Sequence, residues 1–118
     1  MITNFEEKTC PLTSKEKDML PLLIKLLKDV KKEMPVLSQD LCAKFNYANK
    51  EEYRGQLNGV RLRKLTNHIR SCGELPIIAT SRGYYCSYNK SDIRSQIKSL
   101  NERADAIRNS AAGLERFL

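Results

Sequence analysis

The chain has 118 residues, 21 Lys or Arg against 14 Asp or Glu, and a formal net charge of +7. With 41% hydrophobic and 30% charged residues it has the make-up of one soluble globular domain and not of a disordered tail. One domain of this size leaves little room for a catalytic cleft between two lobes, and no apolar run nears the ~18 residues that a membrane span needs.

Residues 1–12 read as an N-terminal arm. The arm is acidic at Glu6 and Glu7 and lacks the apolar core of a signal peptide, which implies a cytoplasmic protein. Thr13 or Ser14 then caps a helix, with Glu16 placed for a capping box on Thr13. Leu20, Leu23, Leu27, Val30 and Met34 recur at helical spacing, and Lys25, Lys28, Lys31 and Lys32 take the outer side. Pro21 either starts the regular part of this helix or kinks it, and Pro35 ends it after about 20 residues.

Ser38 caps a short helix from Gln39 to Phe45, with Leu41, Cys42 and Phe45 on its apolar edge. Between Asn46 and Leu57 the pattern blurs: Asn49 caps one polar turn through Tyr53, or the stretch is loop. Asn58-Gly59 opens a helix that runs to Ser71 and stops at Cys72-Gly73, Gly73 suiting a left-handed cap. Leu62, Leu65, Thr66 and Ile69 fall within about 100 degrees of its arc. The opposite arc holds Val60, Arg61, Arg63, Lys64, Asn67, His68, Arg70 and Ser71, and no acid.

Pro76 to Thr80, the loop Ser81-Arg82-Gly83, and Tyr84 to Tyr88 read as a β-hairpin, with Gly83 free to take a positive φ. Strand alternation sets Tyr84, Cys86 and Tyr88 on one side and Tyr85 on the other, and core packing is a better use for most of these rings than base stacking. Asn89 or Ser91 caps a last helix, residues 91–118, whose Ile93, Ile97, Leu100, Ala104, Ile107, Ala111, Leu114 and Leu118 form a heptad seam. That helix would run about 40 Å. Its seam either packs on the first helix of the same chain or pairs with a second copy, and Ala104, Ile107, Ala111, Leu114 and Leu118 are the candidate dimer interface.

The expected fold is therefore mainly α with a small β-hairpin, an α+β arrangement of helices, hairpin and long C-terminal helix. Its element order, over residues 13–90, is that of a winged helix-turn-helix domain. Charge follows the same division: residues 58–98 carry eight Lys or Arg and two Asp or Glu, leaving the rest near neutral.

The segments Val60-Arg61-Leu62-Arg63-Lys64-Leu65-Thr66-Asn67-His68-Ile69-Arg70 and Ile77-Ile78-Ala79-Thr80-Ser81-Arg82-Gly83-Tyr84-Tyr85 resemble the reading helix and wing of small winged-helix proteins of bacterial phages and mobile elements. The resemblance covers residues 12 to 115 roughly. A winged helix places its reading helix in the major groove and its wing on the adjacent backbone or minor groove. On the reading helix the expected contacts are Asn58, Val60, Arg61, Arg63, Lys64, Asn67 and His68. On the wing and backbone path they are Thr80, Ser81, Arg82, Lys90 and Arg94, with Lys98 beyond them.

Catalysis finds no support in the residues. His68 is the one histidine, and Gly55, Gly59, Gly73, Gly83 and Gly113 are scattered instead of forming a phosphate loop. Asp18, Asp29, Glu33 and Asp40 read as solvated helix residues. Cys10, Cys42, Cys72 and Cys86 are spaced 32, 30 and 14 apart, which fits no common zinc site, and buried or half-buried free thiols are expected. Neither cofactor nor metal is expected, and no small-molecule substrate is evident. The function implied is sequence-specific binding of double-stranded DNA as a homodimer, as in a small transcriptional regulator. Two other roles remain open: an adaptor that uses the fold without DNA, and a phage or plasmid replication component.

Overall fold

Thr13 starts the first helix as its neighbours dictate. Its Oγ1 accepts the Glu16 N–H at 3.1 Å, and Glu16 Oε1 accepts the Thr13 N–H at 2.9 Å, a complete capping box. A computed structural model describes residues 11–53 and 55–118. It runs α1 (Ser14–Leu27), α2 (Ser38–Ala48), α3 (Lys50–Tyr53), α4 (Gly59–Ser71), β1 (Ile77–Thr80), β2 (Gly83–Cys86) and α5 (Lys90–Glu115). The chain is thus mainly helical with one small antiparallel hairpin. The arm up to residue 10, with Cys10, lies outside the described residues.

α1 is shorter than its periodicity suggests, and the hairpin explains why. The Val30 carbonyl accepts the Cys86 N–H at 3.0 Å. Val36 exchanges two hydrogen bonds with Tyr84, N–H to carbonyl at 3.0 Å one way and 2.8 Å the other. A helix continued to Met34 would use Val30's carbonyl for its own ladder, and Pro35 biases Met34 toward extended backbone. Met34 is accordingly 79% exposed and no part of the core. Pro21 sits inside α1 and does not begin it.

α2 begins with Ser38 as its first helical residue; Leu37 is the cap and makes no side-chain bond there. Leu41, Cys42 and Phe45 are buried, as their spacing requires. Asn49 does precede a single turn, α3, but its side chain donates back to the Phe45 carbonyl at 2.9 Å. That turn is less polar than it reads, because Tyr53 is buried and tilts against Phe45 at 6.0 Å between ring centres. Asn46 then clamps Leu57 by both main-chain groups, at 2.9 and 3.1 Å, and holds the α3–α4 connection down.

The core forms where α1, α2 and α4 meet: Met19, Leu23 and Leu27, then Leu41 and Phe45, then Leu62, Leu65 and Ile69 are fully buried. Tyr53, Leu57, Leu75 and Ile77 close its edges. The hairpin pairs Ile77 with Cys86 and Thr80 with Gly83, leaving Ser81-Arg82 as its two-residue turn. Gly83 has φ +128, and a Cβ there would lie 2.6 Å from the carbonyl carbon and oxygen of Val36. Tyr85 is buried, whereas Tyr84 and Cys86 on the opposite side are half-buried and Tyr88 is exposed.

Asn89 caps α5, its Oδ1 accepting from the N–H groups of Ser91 and Asp92 at 2.9 and 3.2 Å. Asp92 is held by Lys32 and by the Ser87 hydroxyl, each at 2.8 Å. Gln96 Oε1 accepts the Ala79 N–H, which fastens the helix to β1. None of its side chains is fully buried. At 1.5 Å per residue α5 spans about 39 Å, most of the molecule's 49 Å length. It rests chiefly on β1, so the heptad seam does not lie along α1. Among the described residues no helix is long and apolar enough to cross a membrane.

Candidate nucleic-acid interface

α4 is fixed at both ends. Asn58 Oδ1 accepts the Arg61 N–H at 2.9 Å, so this side chain serves as the helix cap. At the other end Glu74 N–H reaches the Ile69 carbonyl at 3.2 Å and Gly73 N–H reaches that of Arg70 at 3.0 Å, a Schellman motif made possible by Gly73 at φ +67. Leu62, Leu65, Thr66 and Ile69 face the core.

Two of the basic residues expected to face bases are committed elsewhere. Lys64 Nζ lies 2.8 Å from Glu16 Oε1, and Arg61 Nε lies 3.0 Å from Glu16 Oε2 while its NH1 donates to the Gln56 carbonyl at 3.0 Å. Glu16 is only 3% exposed. Burial would raise its pKa, but the hydrogen bonds from Lys64, the Thr13 N–H and Arg61 outweigh that and hold it at about 2. Arg61 and Lys64, expected to contact DNA, are paired in the structure with a buried carboxylate that α1 brings against α4.

What α4 turns outward is Val60, Arg63, His68 and Ser71, all exposed, with Asn67 half-buried. No acid occurs anywhere on this helix. His68 Nε2 lies 3.5 Å from Cys72 Sγ. Cys72 is exposed, against the expectation of a buried thiol, while Cys42 is buried and Cys86 half-buried. Burial pushes the Cys42 and Cys86 thiols up.

Ser81 and Arg82 are exposed at the hairpin tip. Thr80 is less available than its position suggests: its hydroxyl donates to the Gly83 carbonyl at 3.3 Å and accepts the Arg82 N–H at 3.2 Å. Lys90, Arg94 and Lys98 are exposed along α5. On the seam, Ala104, Ile107 and Ala111 are partly covered, Leu114 is 69% exposed, and Leu118 is fully exposed. Asp18, Asp29, Glu33 and Asp40 are all exposed.

Arg70 acquires its role only in the folded chain. It lies at the edge of α4, where Nε donates to the Ile77 carbonyl at 3.0 Å and NH1 to Asn67 Oδ1 at 3.3 Å. The guanidinium thus ties the helix to the hairpin. Nothing in the local pattern marks it, since its partner carbonyl comes from a strand placed by tertiary packing. Among the described residues no group of three or more His, Cys, Asp or Glu side chains gathers as a metal site needs. Compared with family models, curated proteins and solved structures, the chain matches none.

Proposed function

We propose that the chain is a winged-helix protein that binds double-stranded DNA sequence-specifically, as a homodimeric transcriptional regulator. The observation that carries this reading is the outer side of α4, exposed and without a single acid, next to a hairpin tied down by Arg70 and Val36. A fixed hairpin presents Arg82 in a constant relation to α4, which reading a groove and its flanking backbone together requires. Arg63 and Asn67 have the donor and acceptor groups for guanine and adenine edges, and Val60 suits a thymine methyl. Ser81, Arg82, Lys90 and Arg94 suit phosphates. Residues Ala104 to Leu118, on α5 and just past its end, supply a seam for the second copy, and the site is then an inverted repeat with half-sites roughly 34–36 Å apart or a multiple of that.

The test is duplex affinity against salt, with selection from a random-sequence pool. Contact with about six phosphates makes affinity fall roughly a thousandfold between 50 and 200 mM salt. An enriched inverted repeat supports a regulator; promoter or origin location of the genomic sites separates that role from a replication component. The exposed apolar seam of α5 favours one second reading, a protein-interaction adaptor, and absence of duplex binding even at low salt selects it.

A further inference from the structure

Between α4, the hairpin and α5 lies a cavity of about 120 Å³, bordered by Arg63, Asn67 and Arg70 of α4, Tyr84 of β2, and Ser99 and Arg103 of α5. Among the described residues that border this small space, three from two helices carry a guanidinium and none carries a carboxylate. Arg70 is the informative one. Its NH2 is buried with no hydrogen-bond partner, although its other two nitrogens are engaged. Burial draws its pKa down, Tyr84 works against that, and the neighbouring positive charge of Arg103 adds to the fall. A guanidinium stays charged in a protein, so the fold keeps a half-buried cation with one buried, unused donor beside a second, exposed cation. Left empty of counter-charge, that arrangement is unfavourable.

We propose that this cavity is a binding site for a phosphate-class oxyanion, with the buried Arg70 NH2 as its donor and Arg103 closing it from the rim. The chemistry selects the class. Donors converging from α4 and α5 suit a tetrahedral anion with several acceptor oxygens better than a planar carboxylate, which one arginine fork satisfies. The cavity volume of about 120 Å³ has room for a phosphate-sized group. Such a group has two sources, a free phosphorylated solute or a backbone phosphate of a duplex docked on α4; the second rests on the proposed function.

Inorganic phosphate is the probe. Titration into the full chain, read by the Arg70 and Arg103 Nε–Hε resonances and by melting temperature against chloride at matched ionic strength, gives a saturable response on this proposal. Arg103→Glu places a carboxylate beside Arg70, so it weakens phosphate binding roughly tenfold or more without lowering the melting temperature of the phosphate-free protein. A phosphate response no larger than that of chloride, or one that Arg103→Glu leaves unchanged, overturns the site. Duplex binding by Arg103→Glu then names the source. Weaker binding with a salt slope smaller by about one assigns a backbone phosphate, and unchanged duplex binding assigns a free solute. Saturable phosphate binding by a protein that binds no duplex removes the DNA reading and leaves the site standing.

Discussion

Glu16 joins the start of α1 to α4. One carboxylate caps α1 through Thr13, and its two oxygens take Lys64 and Arg61 from α4. Replacing it with Ala strips the cap and leaves two half-buried cations unpaired, at a cost of roughly 3 kcal/mol, measurable by denaturant unfolding. Acid titrates the same linkage. The folded pKa of about 2 lies below the ordinary 4.5, so Glu16 contributes its full stability above pH 4.5 and loses it as pH falls toward 2. Glu16→Gln, which no longer ionises, flattens that part of the acid unfolding profile. Gly83 is constrained by space as well as by φ, and Gly83→Ala drives a methyl into the Val36 backbone. Thermal unfolding of that variant should show a loss of about 2 kcal/mol or more.

Among the elements, α1 and α5 behave differently although both carry apolar stripes. The stripe of α1 is buried at Met19, Leu23 and Leu27 and stops where the chain must turn to pair with the hairpin. The stripe of α5 has no comparable cover: Ile97 is 52% and Leu114 69% exposed, and the helix is fastened mainly by Gln96 and Asp92 near its start. On the homodimer reading, Ile107→Glu with Leu114→Glu converts the protein to a monomer in sedimentation while leaving its secondary structure intact. If that double variant sediments like the parent chain, the seam is not the interface. Both positions lie beyond the part of α5 fastened to β1, so the change leaves the core untouched.

For the whole molecule, the distribution of charge matters more than its sum. Most of the net +7 lies between residues 58 and 98, but Arg61 and Lys64 within that span are tied to Glu16. The cations left for a polyanion are on the rim of α4, the hairpin tip and the start of α5. Arg82→Glu with Arg94→Glu, both on exposed side chains, should weaken duplex binding across all sequences and lower the salt slope by about two. Its melting temperature should stay near that of the parent chain, in contrast to Glu16→Ala. Measuring affinity and melting together separates loss of a surface from loss of the fold.

Much of this architecture is local and was legible in the residues. The Thr13–Glu16 box, the Asn58 and Asn89 caps, the Gly73 stop and the Leu62, Leu65, Thr66 and Ile69 stripe each depend on neighbours within a few positions. Hydrogen bonds and side-chain spacing at that range are set by backbone geometry alone, so periodicity and cap chemistry suffice to find them. Where α1 ends, which basic residues of α4 remain outward, and what surrounds Arg70 were decided by the tertiary structure. Each depends on groups far apart in the chain: Val36 with Tyr84, Glu16 with Lys64, Arg70 with Arg103. Helical spacing assigns a side chain to an arc, but a long Lys or Arg can bend from that arc to a buried carboxylate. The fold brought that carboxylate there from another helix.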